Sequence, residues 1–289
     1  MKTLLLIGGD LCTRTANLLD PSVWKCIGLR RRAVPADSGC TITWYQADLQ
    51  DPSSLSFLRS SALSEFTHIL YAPAPSTRTE ADYLAVYADG LPALLKSLSP
   101  DTLRNLQRCV LVTSSAVWAP MEGLVNETTP VTLTNFRSRA MVRAEDALNS
   151  LLPKHVAVTL RLSGLYGPGR EYLVNALRAG KMKAPDGPGH WGNRIHIDDA
   201  ASACRHLLEL PAPQSLYIGT DDHPVPLADF YDAVAEVVGA PAPARELQPP
   251  SGKRLSNATL RAAGWVPKWP RALEWYARYH SHQQDSGER

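Results

Sequence analysis

The sequence predicts an α/β fold with a doubly wound parallel sheet, and three observations carry that reading. Short apolar runs recur as far as Leu162, as strands buried on both faces should. Segments with apolar residues at helical spacing separate them. The first run ends in a glycine-bearing turn that leads directly into a helix-like stretch. Strands and helices alternating in this way specify crossover connections and parallel pairing.

Residues 3–7 form the first apolar run, Gly8-Gly9-Asp10 breaks it, and residues 11–19 suit a helix. Residues 23–29 return as a strand and end in Arg30-Arg31-Arg32. Residues 41–46, rich in β-branched and aromatic side chains, read as a third strand. Residues 68–72, 109–113 and 155–162 read as further buried strands. Between them, residues 80–98 place Tyr83, Val86, Tyr87, Leu91, Leu94 and Leu95 on one helical face. Residues 138–152 do the same with Met141, Ala144, Leu148 and Leu151. Beyond Leu162 glycine and proline become frequent, residues 172–179 suit a helix, and 211–213 and 241–250 read as loops. The polar end, residues 280–289, is expected to fray.

Bulk properties narrow the function. The 289 residues can bury one large core with a smaller lobe attached, and a net charge of +2 predicts neither a nucleic-acid nor a membrane partner. Cys12, Cys26, Cys40, Cys109 and Cys204 are odd in number and lack metal-ligand spacing, so no metal is expected. Reduced thiols and an opening apolar run too short for a signal segment fit a cytoplasmic protein.

The first turn is where a Rossmann-type fold lets backbone approach a pyrophosphate resting on a helix N-terminus. Against the pattern GxGxxG, Ile7-Gly8-Gly9-Asp10-Leu11-Cys12 keeps only the middle glycine, Gly9, although Gly8 offers flexibility of its own. The second strand adds to this. An NAD-specific protein carries an acid about 20 residues on, where Arg30 and Arg31 stand here. Guanidinium groups offer fixed, charge-assisted donors to a 2′-phosphate, so NADP(H) is expected over NAD(H). Asp48, after the third strand, either meets the adenine or caps the next turn.

Five further segments carry a family resemblance. Residues 112–118, Val-Thr-Ser-Ser-Ala-Val-Trp, are similar to the strand ending in Ser-Ser of extended short-chain dehydrogenases/reductases. Residues 126–130 resemble their Glu-x-x-Pro loop, and 161–170 their Arg-x-x-x-x-Tyr-Gly-Pro-Gly signature. Residues 194–200, Arg-Ile-His-Ile-Asp-Asp-Ala, and 253–257, Lys-Arg-Leu-Ser-Asn, match two later motifs. The whole resembles the atypical branch described as NAD(P)-dependent epimerase/dehydratase-like. The resemblance implies an NADP(H)-binding Rossmann domain over 1–165, completed by about 194–220. Residues 166–193 and 221–289 would form a smaller substrate lobe. Implied cofactor contacts are Gly8, Gly9, Asp10, Leu11, Cys12, Arg30, Arg31, Asp48, Leu49, Ala72, Ala74 and Asp89. A small-molecule substrate is implied, and a homodimer through the helices at 80–98 and 138–152 is admissible unless the sheet consumes their apolar faces.

The family's chemistry uses a tyrosine and a lysine four residues apart, the phenol serving as acid or base. Counting back from Glu145 puts Met141 at the lysine and Arg137 at the tyrosine; sliding by one gives Ala140 and Phe136. Neither register holds the pair, and arginine stays protonated. Ser115, with Ser114 behind it, remains as the hydroxyl that would bond the reacting oxygen, and Tyr166 is the candidate replacement phenol. Two readings follow: an oxidoreductase, epimerase or dehydratase on a small carbonyl or hydroxyl compound, or a non-catalytic NADP(H) sensor on the same fold.

Overall fold

The computed structural model describes residues 1–32, 42–59, 65–187, 189–249 and 251–287, with side chains as far as residue 281. Thr41, Cys40 and Pro250 therefore lie outside the described residues. The chain forms two compact units. The first comprises Met1–Trp118, Val131–Arg161 and Ala201–Tyr217; the second comprises Ala119–Pro130, Leu162–Ala200 and Ile218–Arg289. Residues 119–130, which the sequence reading kept with the first domain, cluster with the second unit.

The central sheet has seven strands. Across it they run Leu216–Gly219, Ala157–Leu162, Arg108–Ser114, His68–Ala72, Lys2–Gly8, Trp24–Arg30 and Ile42–Gln46. Chain order reverses at Lys2–Gly8, whose two parallel neighbours are Trp24–Arg30 and His68–Ala72. That is the topological switch point of a Rossmann-type sheet, and ligands bind beyond the carboxyl ends of the strands there. Leu4, Leu5 and Leu6 are fully buried, which is why the first strand reads as an unbroken apolar run.

Two helices differ from expectation. The first is shorter, Asp10–Ala16. The segment at 80–98 is three pieces: an α-turn Glu80–Tyr83, a π-turn Leu84–Asp89, and a helix Gly90–Ser97. The cause is a long-range intruder. The Tyr71 hydroxyl donates to the Val86 carbonyl at 2.5 Å, and a Cβ at Gly90 would lie 2.6 Å from that same hydroxyl. A side chain inserted into the backbone ladder widens it locally. The helix Phe136–Leu151 starts at a reciprocal Asn135/Ser138 capping box.

The second unit is built from short pairings. Gly164–Tyr166 pairs with Arg194–His196, Lys183–Asp186 with Ala244–Leu247, and Gly123–Val125 with Lys253–Leu255, all in parallel. Its core gathers Tyr166, Val174, Leu177, Phe230, Val234, Trp275 and Tyr276. The end expected to fray is helical over Ala272–Gly287, because its first turns bury Trp275 and Tyr276. No helix among the described residues is long and apolar enough to cross a membrane.

Candidate dinucleotide site and the fate of the motif residues

A cavity of about 460 Å³ opens in the first unit at the switch point. Gly8 and Gly9 form one part of its wall, Arg30, Arg31 and Arg32 another, and Asp48 and Leu49 a third. Gly8 has φ +145°, and a Cβ there would lie 2.4 Å from the Ala72 carbonyl oxygen. Only glycine suits that position. At Gly9, by contrast, a Cβ would have no neighbour within 4 Å among the described residues. The structure thus moves the demand for glycine from the position the pattern scores to the one before it. Gly8 and Gly9 together form a cradle that fits a dinucleotide phosphate, at the start of the helix Asp10–Ala16.

The arginines are held in place from the next strands. The Arg30 guanidinium lies 5.5 Å from the Trp44 ring centroid. Arg31 donates to Ser76 Oγ, and its carbonyl accepts from Gln46 Nε2 at 3.0 Å. Asp48 lines the cavity and also accepts from the Gln50 N–H at 3.0 Å, closing a local turn. Ala74 lines the cavity as expected, together with Pro73, Pro75 and Ser76. Ala85 and Val86 join them from the π-turn. These residues carry no local sequence signal; only the strand ends bring them together.

Other expected contacts stay outside this cavity. Ala72 bears on it only through the close approach of its carbonyl to Gly8. The Asp10 carboxylate pairs with Arg14 Nε at 2.7 Å, and Thr15 Oγ1 donates to the Leu11 carbonyl at 2.8 Å. Cys12 is buried, and burial drives its thiol pKa well up. Cys26, Cys109 and Cys204 are buried too, with thiols pushed up to about 11, 12 and 12 by desolvation. No metal-holding cluster occurs among the described residues. Asp89 is exposed and faces Arg143 at 4.0 Å, on a different depression lined by Arg59 and Lys96. The structure does not bring it to the glycine turn's cavity.

Ser114 and Ser115 are half-buried where the strand Arg108–Ser114 passes into the single turn Ser115–Trp118. Ser114 Oγ accepts from the Ala116 N–H at 3.2 Å. The helix Phe136–Leu151 packs on that turn. On it Met141 is 1% exposed, and the Arg137 guanidinium lies 5.9 Å from the Tyr83 ring and 5.5 Å from Phe136. Glu145 is buried; it accepts from Arg161 Nε at 3.0 Å and Thr113 Oγ1 at 2.8 Å. Arg161 in turn covers Trp118 at 4.5 Å, so Trp118 is core.

In the second unit the motif residues hold backbone. Glu127 accepts from the Ile218 N–H at 3.0 Å and from Thr259 Oγ1 at 2.8 Å. Asp199 accepts from the N–H groups of Lys268 and Trp269 at 2.7 and 2.9 Å. Asn193 bridges both ways to Lys253 and Leu255. Tyr166 is 4% exposed, stacked on Tyr276 and edge-on to His196 and Trp275. Its hydroxyl has no hydrogen-bond partner among the described residues. Burial, with Asp221 and Asp199 nearby, drives its pKa up, opposite to what acid–base work near neutrality needs. Tyr172 is 79% exposed and His190 pairs with Ser251 Oγ at 3.1 Å.

The first unit thus has a Rossmann-type sheet with a cavity at its switch point. No family model matches the chain. Protein YeeZ of Escherichia coli K12 is 32% identical over 164 residues, covering 56% of this chain and 58% of that protein. A 3-diazoavenalumate denitrifying reductase from a Streptomyces species is 37% identical over 154 residues, covering 45% of this chain and 50% of the reductase. The chain thus spans about half the length of the curated relatives it matches. Among solved structures, a Methylobacillus flagellatus protein of the NAD-dependent epimerase/dehydratase type superposes with a TM-score of 0.80 at 28% identity, covering 98% of each chain. A functionally unknown conserved protein from Silicibacter pomeroyi superposes with a TM-score of 0.78 at 24% identity, covering 98% of this chain and 100% of that one.

Proposed function

We propose that the chain is an NADP(H)-dependent oxidoreductase or epimerase/dehydratase acting on a small carbonyl or hydroxyl compound. One observation carries the reading: Gly8 and Gly9 share a single cavity with Arg30, Arg31 and Arg32. The glycines would take the pyrophosphate, and the guanidinium groups would take a 2′-phosphate as fixed, charge-assisted donors. Leu49 and Ala74 would frame the adenine. The relatives' names, a reductase and an NAD-dependent epimerase/dehydratase, support the same reaction classes.

The bound dinucleotide supplies hydride transfer. The chain's own part is to bind it, orient the substrate and manage a proton at the reacting oxygen. Ser115 Oγ donates a hydrogen bond to that oxygen. With Arg137 and Met141 in place of a phenol and an amine, the proton is exchanged with water rather than with a tyrosine. The test is NADPH consumption over a panel of small aldehydes, ketones and conjugated acids. Turnover on one compound, lowered about 100-fold by Ser115→Ala, supports the proposal.

The sensor reading is favoured by one observation, the apolar burial of Met141 where an amine would serve catalysis. Tight NADPH binding with no turnover across the whole panel supports that reading instead.

A further inference from the structure

The second unit contains a cavity of about 420 Å³ that shares no residue with the glycine-turn cavity. Its apolar wall comes from Val225, Phe230, Val237 and Leu273, and Arg194 also lines it. The guanidinium carbon lies 3.5 Å from the Phe230 ring centroid. Gly192 leaves room for it, since a Cβ there would sit 2.8 Å from Nη1. Among the described residues this guanidinium makes no hydrogen bond and no ion pair. With one face against Phe230, its N–H edge is what it has left to offer.

A half-buried guanidinium without an acceptor is free to take one, and a carboxylate meets its edge with two parallel hydrogen bonds. Asp221 lines the same cavity and acts on Arg194 electrostatically without a hydrogen bond to it, its carboxylate accepting from the His223 N–H at 3.3 Å. Burial raises the Asp221 carboxyl to about 7, so near neutrality it offsets the cation only in part. Asp229 and Glu274 in the lining oppose a second negative charge on a ligand, which disfavours a phosphate, while Arg271 favours a single one. The volume suits a compact organic molecule.

We propose that this cavity binds a small monocarboxylic acid with an apolar body, its carboxylate on Arg194 and its body against Phe230 and Leu273. The site is independent of the dinucleotide reading, because every residue in it belongs to the second unit.

Calorimetric titration of the full chain with benzoate, 3-phenylpropionate and hexanoate, each beside its primary amide, tests the proposal. At least one acid is expected to bind saturably and at least about tenfold more tightly than its amide. Arg194→Gln should erase that difference. Ala233→Phe, which fills the cavity without touching the cation, should weaken the acid at least about tenfold while the melting temperature and NADPH response stay unchanged. If Arg194→Gln does not fold, Ala233→Phe decides. No acid binding at all, acid and amide binding equally, or an acid affinity unmoved by Ala233→Phe would each overturn the site.

Discussion

In the first unit Gly8, Gly9, Arg30 and Arg31 face an open cavity, whereas in the second Glu127, Asn193 and Asp199 face backbone. Of these two sets only the first leaves its polar groups available to a ligand. The second uses them to fasten short strands and loops that have too few ladder bonds of their own. A family signature in this chain is therefore partly chemistry and partly carpentry, and burial separates the two.

The comparison can be broken most forcefully at Gly8. Gly8→Val adds a Cβ against the Ala72 carbonyl at a φ of +145°, and it should cost about 4 kcal/mol or more in urea unfolding. A tolerated valine would mean the turn is slack and the cradle illusory. Next comes Asp199→Ala, which strands the Lys268 and Trp269 N–H groups and should cost about 3 kcal/mol. If unfolding is unchanged but NADPH turnover disappears, Asp199 is chemistry after all.

Asp221 sharpens the contrast through pH. Its folded pKa of about 7 lies above the ordinary 3.8, so the folded state holds the proton more tightly. The resulting stability is full below the unfolded value and lost as pH rises through about 7. Stability of the native chain minus that of Asp221→Asn should therefore fall between pH 4 and pH 8, by on the order of 4 kcal/mol. A flat difference would contradict the burial argument. The smallest effect is expected at Tyr166→Phe, which removes a hydroxyl that has no partner among the described residues. Stability should move by less than about 1 kcal/mol and turnover by less than about twofold. A collapse of turnover would restore Tyr166 as the proton donor.

How much of this was legible depended on range. The buried strands could be read to within a residue or two, because an unbroken apolar run such as Leu4-Leu5-Leu6 is a local property. The arginine wall was legible for the same reason, as three consecutive residues at a strand end. The π-turn at Leu84–Asp89 was not, since it depends on Tyr71 reaching Val86 across the fold. Nor were the two- and three-residue strands of the second unit, too short to show a period of two. Pattern matching favoured Gly9, but the backbone angle that demands glycine belongs to Gly8, and no spacing rule encodes that.

The central claim is that the arginine wall selects a phosphorylated dinucleotide. Calorimetric titration of the native chain and of the double variant Arg30→Ala, Arg31→Ala with NADPH and NADH tests it most directly. The account predicts NADPH binding at least about tenfold tighter than NADH in the native chain, with the difference erased in the double variant. Equal affinities in the native chain, or no binding of either dinucleotide, would contradict it.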